Sequence, residues 1–136
     1  MKYEFTVPGK IVGKGRPRLN TYTGCIYTPG KTKDYEDLIM QYFLLKYPRF
    51  TPIEGRVAVE ITANFEIPKS ANKTNKELML ENKINPLKKP DIDNIVKVIL
   101  DAMNTCAFKD DTQISKLSVE KRYALEESIF IKIEEY

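Results

Sequence analysis

Apolar and polar residues alternate in Tyr3-Glu4-Phe5-Thr6-Val7 and stop at Pro8, the pattern of a strand with one buried face. A longer alternation runs from Arg56 to Ile67 and puts Val57, Val59, Ile61, Ala63, Phe65 and Ile67 on one side, with Pro68 closing it. Two further alternating runs, Ile114 to Tyr123 and Ser128 to Glu134, lie close together in the chain and predict an antiparallel hairpin. Between these strands the period changes. Tyr35, Leu38, Ile39, Tyr42, Phe43 and Leu45 recur at helical spacing, which predicts a helix from about Lys33 to Lys46, capped by Thr32 and ended by Pro48. A second main helix is predicted from Ile92 to Asn104, and a short one near Lys76 to Leu80. This order of elements predicts an α+β fold in one domain over residues 1–136, with a mixed or antiparallel sheet packed against two main helices.

Two segments escape this periodicity. Gly9 to Gly30 holds five of the six glycines together with several cations, so it reads as a long exposed loop, and a loop of that length in a small domain is usually functional. Lys69 to Lys89 is polar, rich in lysine and leads into Pro90. At 42% hydrophobic and 30% charged residues the chain is globular rather than disordered, and its length suits a single core. No apolar run nears the roughly 20 residues that span a bilayer, and the first residues do not form a signal-peptide core, so a cytoplasmic protein without membrane partners is expected.

Charge and composition narrow the chemistry. Net charge is only +3, but the first 33 residues carry Lys2, Lys10, Lys14, Arg16, Arg18, Lys31 and Lys33 against the single acid Glu4, an asymmetry expected of a polyanion binder. The absence of histidine excludes Ser-His and Cys-His nucleophiles and the common zinc sites that use imidazole. Cys25 and Cys106 lack metal or redox spacing and read as free thiols.

The richest stretch is Lys88-Lys89-Pro90-Asp91-Ile92-Asp93-Asn94, continued by Lys97, Asp101 and Asn104 and followed by Asp110-Asp111. At about 100° per residue, Asp93, Asn94, Lys97, Asp101 and Asn104 share a polar stripe, and Ile92, Ile95, Val96, Ile99, Leu100 and Met103 cover the other side. Asp91 and Asp93 diverge in a regular helix. They converge only at a helix start, which Pro90 favours by making Asp91 the N-cap. Carboxylates without imidazole or thiolate form a hard, all-oxygen site suited to Mg2+ or Mn2+, able to activate water and offset charge on a phosphodiester. Lys97, one turn after Asp93, is placed to stabilise the transition state or orient water. Each residue also has a plain structural reading: the aspartates as caps, Lys97 paired with Asp93 and Asp101, and Asp110-Asp111 as a turn.

Pro90-Asp91-Ile92-Asp93-Asn94 with Lys97, Asp101 and Asp110-Asp111 resembles the signature of the RusA family of Holliday junction resolvases, and the early Gly13-Lys14-Gly15-Arg16-Pro17-Arg18 loop extends the likeness. The resemblance implies that Asp91, Asp93 and Asp111 are metal-binding catalytic carboxylates, with Asp110 as a further contributor and Lys97 as the essential basic residue. It also implies a homodimer that uses Mg2+, or Mn2+ in its place, to make paired nicks in four-way junction DNA. Lys10, Lys14, Arg16, Arg18, Lys88 and Lys89 are then expected to contact phosphates. The competing functions are a nuclease for forks or flaps and a non-catalytic nucleic-acid-binding protein.

Overall fold

The computed structural model describes residues 1–16, 18–27 and 30–136, so Pro17 of the basic motif lies outside the described residues. The strongest alternation in the chain, Val57 to Phe65, becomes β4 (Val57–Glu66), and its apolar side chains are all buried on one face. β4 needs a ladder on both edges. On one side it pairs antiparallel with β6 (Ser128–Glu135), which pairs in turn with β1 (Lys2–Pro8); on the other it pairs parallel with β5 (Ile114–Ala124). The result is a four-stranded mixed sheet in the order β1-β6-β4-β5.

The predicted β5/β6 hairpin is therefore wrong, although both strands exist. β4 lies between them, and residues 125–127 carry the chain across its end. The cause is visible in the side chains. Ile129, Ile131 and Ile133 have almost no exposure, and they sit in register with Ala63, Ile61 and Val59 on one side and with Val7, Phe5 and Tyr3 on the other. A strand with that face gains most from a central position. β5 is less apolar, and Leu117 on its inward-facing row remains 46% exposed, so it is tolerated at the edge.

Both main helices cover one face of this sheet. α1 (Gly30–Lys46) buries Tyr35, Ile39 and Phe43 against β1, where Phe5, Phe43, Tyr47, Phe50 and Tyr3 form an edge-on aromatic cluster. It starts before the predicted Thr32 cap. Thr32 lies within the helix and is buried, with its hydroxyl accepting the Gly15 amide at 3.0 Å. After β4, α2 (Lys73–Leu80) is capped by Asn72, whose side chain accepts the Asn75 amide. α3 (Ile92–Met103) follows and packs Ile95, Val98, Ile99, Ala102 and Met103 into the core beside α1.

The segment predicted as a loop contains structure too short to show as periodicity. β2 (Arg18–Leu19) and β3 (Ile26–Tyr27) form a small hairpin whose turn is held by Asn20, with its side chain accepting the Tyr22 and Thr23 amides. Ahead of it, residues 13–15 run between α1 and α3. The Lys14 amide donates to the Asn94 carbonyl at 3.0 Å, fastening this segment to the first turn of α3. No helix among the described residues is long and apolar enough to cross a membrane.

Gly13 sets how closely this segment approaches α3. A Cβ there would stand 2.6 Å from the Pro90 Cβ and 3.2 Å from the Asn94 Cβ. Gly13→Ala is therefore expected to cost about 1–3 kcal/mol of unfolding free energy by overpacking. Gly30→Ala, where a Cβ meets nothing within 4 Å, is expected to change stability by less than about 1 kcal/mol. Denaturant melts of the two variants beside wild type measure the difference.

Candidate functional site

The start of α3 is built as its sequence predicts. Asp91 is the N-cap residue, with extended backbone (φ −71°, ψ 156°), and its carbonyl accepts the Ile95 amide at 3.0 Å. Its carboxylate makes no capping hydrogen bond. Asp93 follows in the first turn and Lys97 one turn later, all three exposed. Among the described residues no ion pair uses any of them, so the structural reading in which Lys97 pairs with Asp93 and Asp101 does not hold. Exposed aspartates without partners at a helix start are available to a ligand.

Asp91 stands between two clefts. One, of about 810 Å3, is lined by residues 11–15 and by Arg16, Arg18, Lys31 and Lys89, with Asp91 and Asn94 on its α3 side. The other, of about 700 Å3, includes Lys88, Leu87, Ile92 and Lys121. The Lys121 ammonium donates to the Lys88 carbonyl, and the Lys88 and Lys121 ammonium groups lie 5.7 and 5.2 Å from the centre of the Phe65 ring. Cations thus flank the Asp91 carboxylate on both sides, an arrangement suited to a polyanion passing over the start of α3. Lys10 is exposed and next to Ile11, whose amide is held by Glu127, but it does not line the basic cleft.

Lys14 departs from the role expected of it. Its ammonium is 2.7 Å from Glu36 of α1 and 2.9 Å from Asp101 of α3, with side-chain exposures of 18% for Lys14, 11% for Glu36 and 44% for Asp101. Burial alone pulls the ammonium down, but hydrogen bonds and charge from Glu36 and Asp101 outweigh it and hold the pKa above the ordinary 10.5. The stability this bridge contributes is complete below that ordinary value and is lost only as pH rises through the higher folded value. Sequence reasoning missed Glu36. Its signal is an acid placed four residues after Thr32 and three before Ile39, on the face of α1 that is otherwise buried.

The second acidic pair is elsewhere. Asp110 precedes a short 3-10 turn (Asp111–Gln113); its carboxylate accepts the Thr112 hydroxyl at 2.6 Å and its amide donates to the Gln113 side chain at 2.8 Å. Gln113 is anchored to the Ile53 and Gly55 carbonyls, beside the start of β4. Asp110 is thus engaged in its own turn, and Asp111 is exposed. Both lie past the C-terminal end of α3, while Asp91 and Asp93 lie at its start. Twelve helical residues separate the two ends, about 18 Å at 1.5 Å per residue. Among the described residues no group of three or more potential metal ligands gathers. The oxygen-only Asp91–Asp93 pair fits a hard divalent cation, but one copy of the chain does not complete the predicted three-carboxylate site.

Of the two thiols, Cys25 is exposed and Cys106 is half-buried after α3, its pKa pushed up to about 11 by burial. Neither touches the clefts.

The family model described as Endodeoxyribonuclease RusA matches residues 8–134, nearly the whole chain. The chain is also similar to the uncharacterized protein YqaN of Bacillus subtilis (strain 168), at 34% identity over 97% of this chain and 95% of that protein.

Because the Asp91 and Asp93 carboxylates hold nothing in place, Asp91→Asn and Asp93→Asn are expected to change unfolding free energy by less than about 1 kcal/mol in chelator, Asn being as good an N-cap as Asp. Denaturant melts check this. A loss above about 2 kcal/mol in either variant would return these residues to a structural role.

Proposed function

The chain belongs to the RusA endodeoxyribonuclease family, and on that footing we propose that it resolves four-way (Holliday) junctions in the cytoplasm, hydrolysing DNA phosphodiester bonds by paired, symmetric nicks. The observation that carries this reading is the unpaired Asp91 and Asp93 at the start of α3, with Lys97 one turn on and Asp91 itself on the wall of a cleft lined by Arg16, Arg18, Lys31 and Lys89. The cations neutralise backbone phosphates without reading sequence, which suits a substrate recognised by its branching. Lys88 and Lys121 extend the positive surface past Asp91 on the other side.

Asp91 and Asp93 are the residues that would hold Mg2+, or Mn2+ in its place. When bound, such an ion supplies a polarised water and offsets charge on the reacting phosphate. Lys97 offers a second positive charge to the phosphoryl oxygens as negative charge builds on them.

We assign the missing ligand to a second copy of the chain. The support is that Asp91 and Asp93 lie at one end of α3, a helix about 18 Å long, and Asp111 past its other end, with no group of three potential metal ligands gathered among the described residues. A symmetric homodimer that brings Asp111 of each copy to the other's Asp91 and Asp93 contains two equivalent sites, as paired nicking requires. The α3 flank carries Ile92, 44% exposed, in the same cleft as the exposed Leu87, apolar surface suited to burial in such a contact.

Cleavage of a labelled mobile four-way junction tests the function. Wild type with Mg2+ is expected to nick opposing strands symmetrically and to cut the junction much faster than linear duplex or a fork. Chelator is expected to abolish cleavage, and Asp93→Asn to lower its rate by about 100-fold or more while leaving junction binding intact. A fork cut as fast as the junction would make this a general branched-DNA nuclease. Tight junction binding by well-folded protein with no cleavage in either metal would make it a binding protein.

A further inference from the structure

The basic cleft and the acidic start of α3 lie on different parts of the chain, and residues 13–15 are what fixes one against the other. Gly13 packs against Pro90 and Asn94, the Lys14 amide bonds the Asn94 carbonyl, and the Gly15 amide bonds the buried Thr32 hydroxyl of α1. The Lys14 side chain then runs beneath this contact to Glu36 of α1 and Asp101 of α3. Arg16 and Arg18, next along the sequence, both line the cleft. The segment that carries the phosphate-binding arginines is thus held to the carboxylate-bearing helix at Asn94, beside Asp91 and Asp93, and again two turns later at Asp101.

Resting on the hydrolytic site proposed above, we propose that Lys14, with Asp101 and Glu36, is a positioning device: it fixes the spacing between the phosphates gripped by Arg16 and Arg18 and the carboxylates of Asp91 and Asp93, and does not itself touch DNA. One feature separates this role from that of a phosphate contact. The Lys14 ammonium already has two carboxylate partners, one of them on a buried residue. A lysine placed to meet phosphate would be left unpaired in free protein, as Arg16, Arg18, Lys31 and Lys89 are among the described ion pairs. Hydrolysis depends on the spacing because reacting groups misplaced by about 1 Å lose on the order of 100-fold in rate.

The test uses wild type, Asp101→Asn, Lys14→Met, Lys14→Arg and the Lys14→Met/Asp101→Asn double variant, well below their melting temperatures. Asp101→Asn is the safeguard against misfolding, since the half-exposed carboxylate is neutralised while Lys14 keeps Glu36. Junction affinity is measured in chelator over a range of salt, and single-turnover cleavage at saturating junction and Mg2+. The staple predicts an unchanged salt slope in every variant and cleavage slowed about 10- to 100-fold in Asp101→Asn and Lys14→Met. It also predicts a double variant no slower than Lys14→Met, and substantial recovery in Lys14→Arg, which keeps a charge between the two acids. A salt slope reduced by about 0.9 in Lys14→Met, the share of one phosphate, would make Lys14 a DNA contact and overturn the proposal. Wild-type cleavage by Asp101→Asn would overturn it as well. Binding slopes report on Lys14 even in a protein that cuts nothing, whereas failure of wild type to cut rejects the hydrolytic reading itself.

Discussion

One ammonium between two carboxylates sets the geometry on which the site depends. Lys14 reaches from the segment after β1 to Glu36 of α1 and Asp101 of α3, so a single side chain links the three pieces of structure that line the basic cleft. Glu36 is almost fully buried, and an acid in that position is tolerated because Lys14 meets it. Losing one partner of such a pair leaves an uncompensated charge and typically costs roughly 3–5 kcal/mol, more than most single surface contacts contribute. Below this bridge the sheet supplies a rigid floor: the isoleucine row of β6 locked between β4 and β1 fixes the platform on which α1 and α3 lie.

The chemistry of the site follows from what that scaffold leaves unpaired. The fold engages Lys14, Glu36, Asp101 and Asp110 in internal contacts and leaves Asp91, Asp93, Lys97, Arg16, Arg18 and Lys31 free of ion pairs among the described residues. Except for Lys97, midway along α3, the free groups lie about the start of that helix, the acids on it and the arginines and Lys31 on the segments lining the cleft beside Asp91. Membership of the RusA endodeoxyribonuclease family points that arrangement to DNA hydrolysis, and the proposed symmetric pair would supply it with Asp111, which lies past the other end of α3.

Much of this was legible in the sequence. Alternation identifies β1, β4 and β6, and helical spacing identifies α3 to within a residue, because each has a one-sided apolar row whose burial dominates its energetics; β5 alternates too, although none of its residues is fully buried. Asp91 as the N-cap followed from Pro90. Strand order was not legible. Proximity in the chain argued for pairing β5 with β6, whereas the outcome rests on which strand's apolar face gains most from two neighbours, a comparison across the whole sheet. The Thr32 cap failed for a related reason, since the hydroxyl is used by Gly15 from a distant segment. In the sequence Lys14 is one cation among many, because its partners Glu36 and Asp101 are far away along the chain. Short-range patterns expose what a residue can do, and long-range pairing decides which residues remain free to do it.

The most direct test of the account is subunit mixing. Asp93→Asn and Asp111→Asn are each prepared with distinct tags, exchanged into mixed dimers, isolated through both tags and given Mg2+ and a four-way junction. A site built across two copies predicts that each variant alone is inactive while the mixed dimer nicks a single strand, since one of its sites carries both substitutions and the other carries neither. A mixed dimer as inactive as its parents would contradict a shared site, and full activity of Asp111→Asn alone would remove that residue from the chemistry.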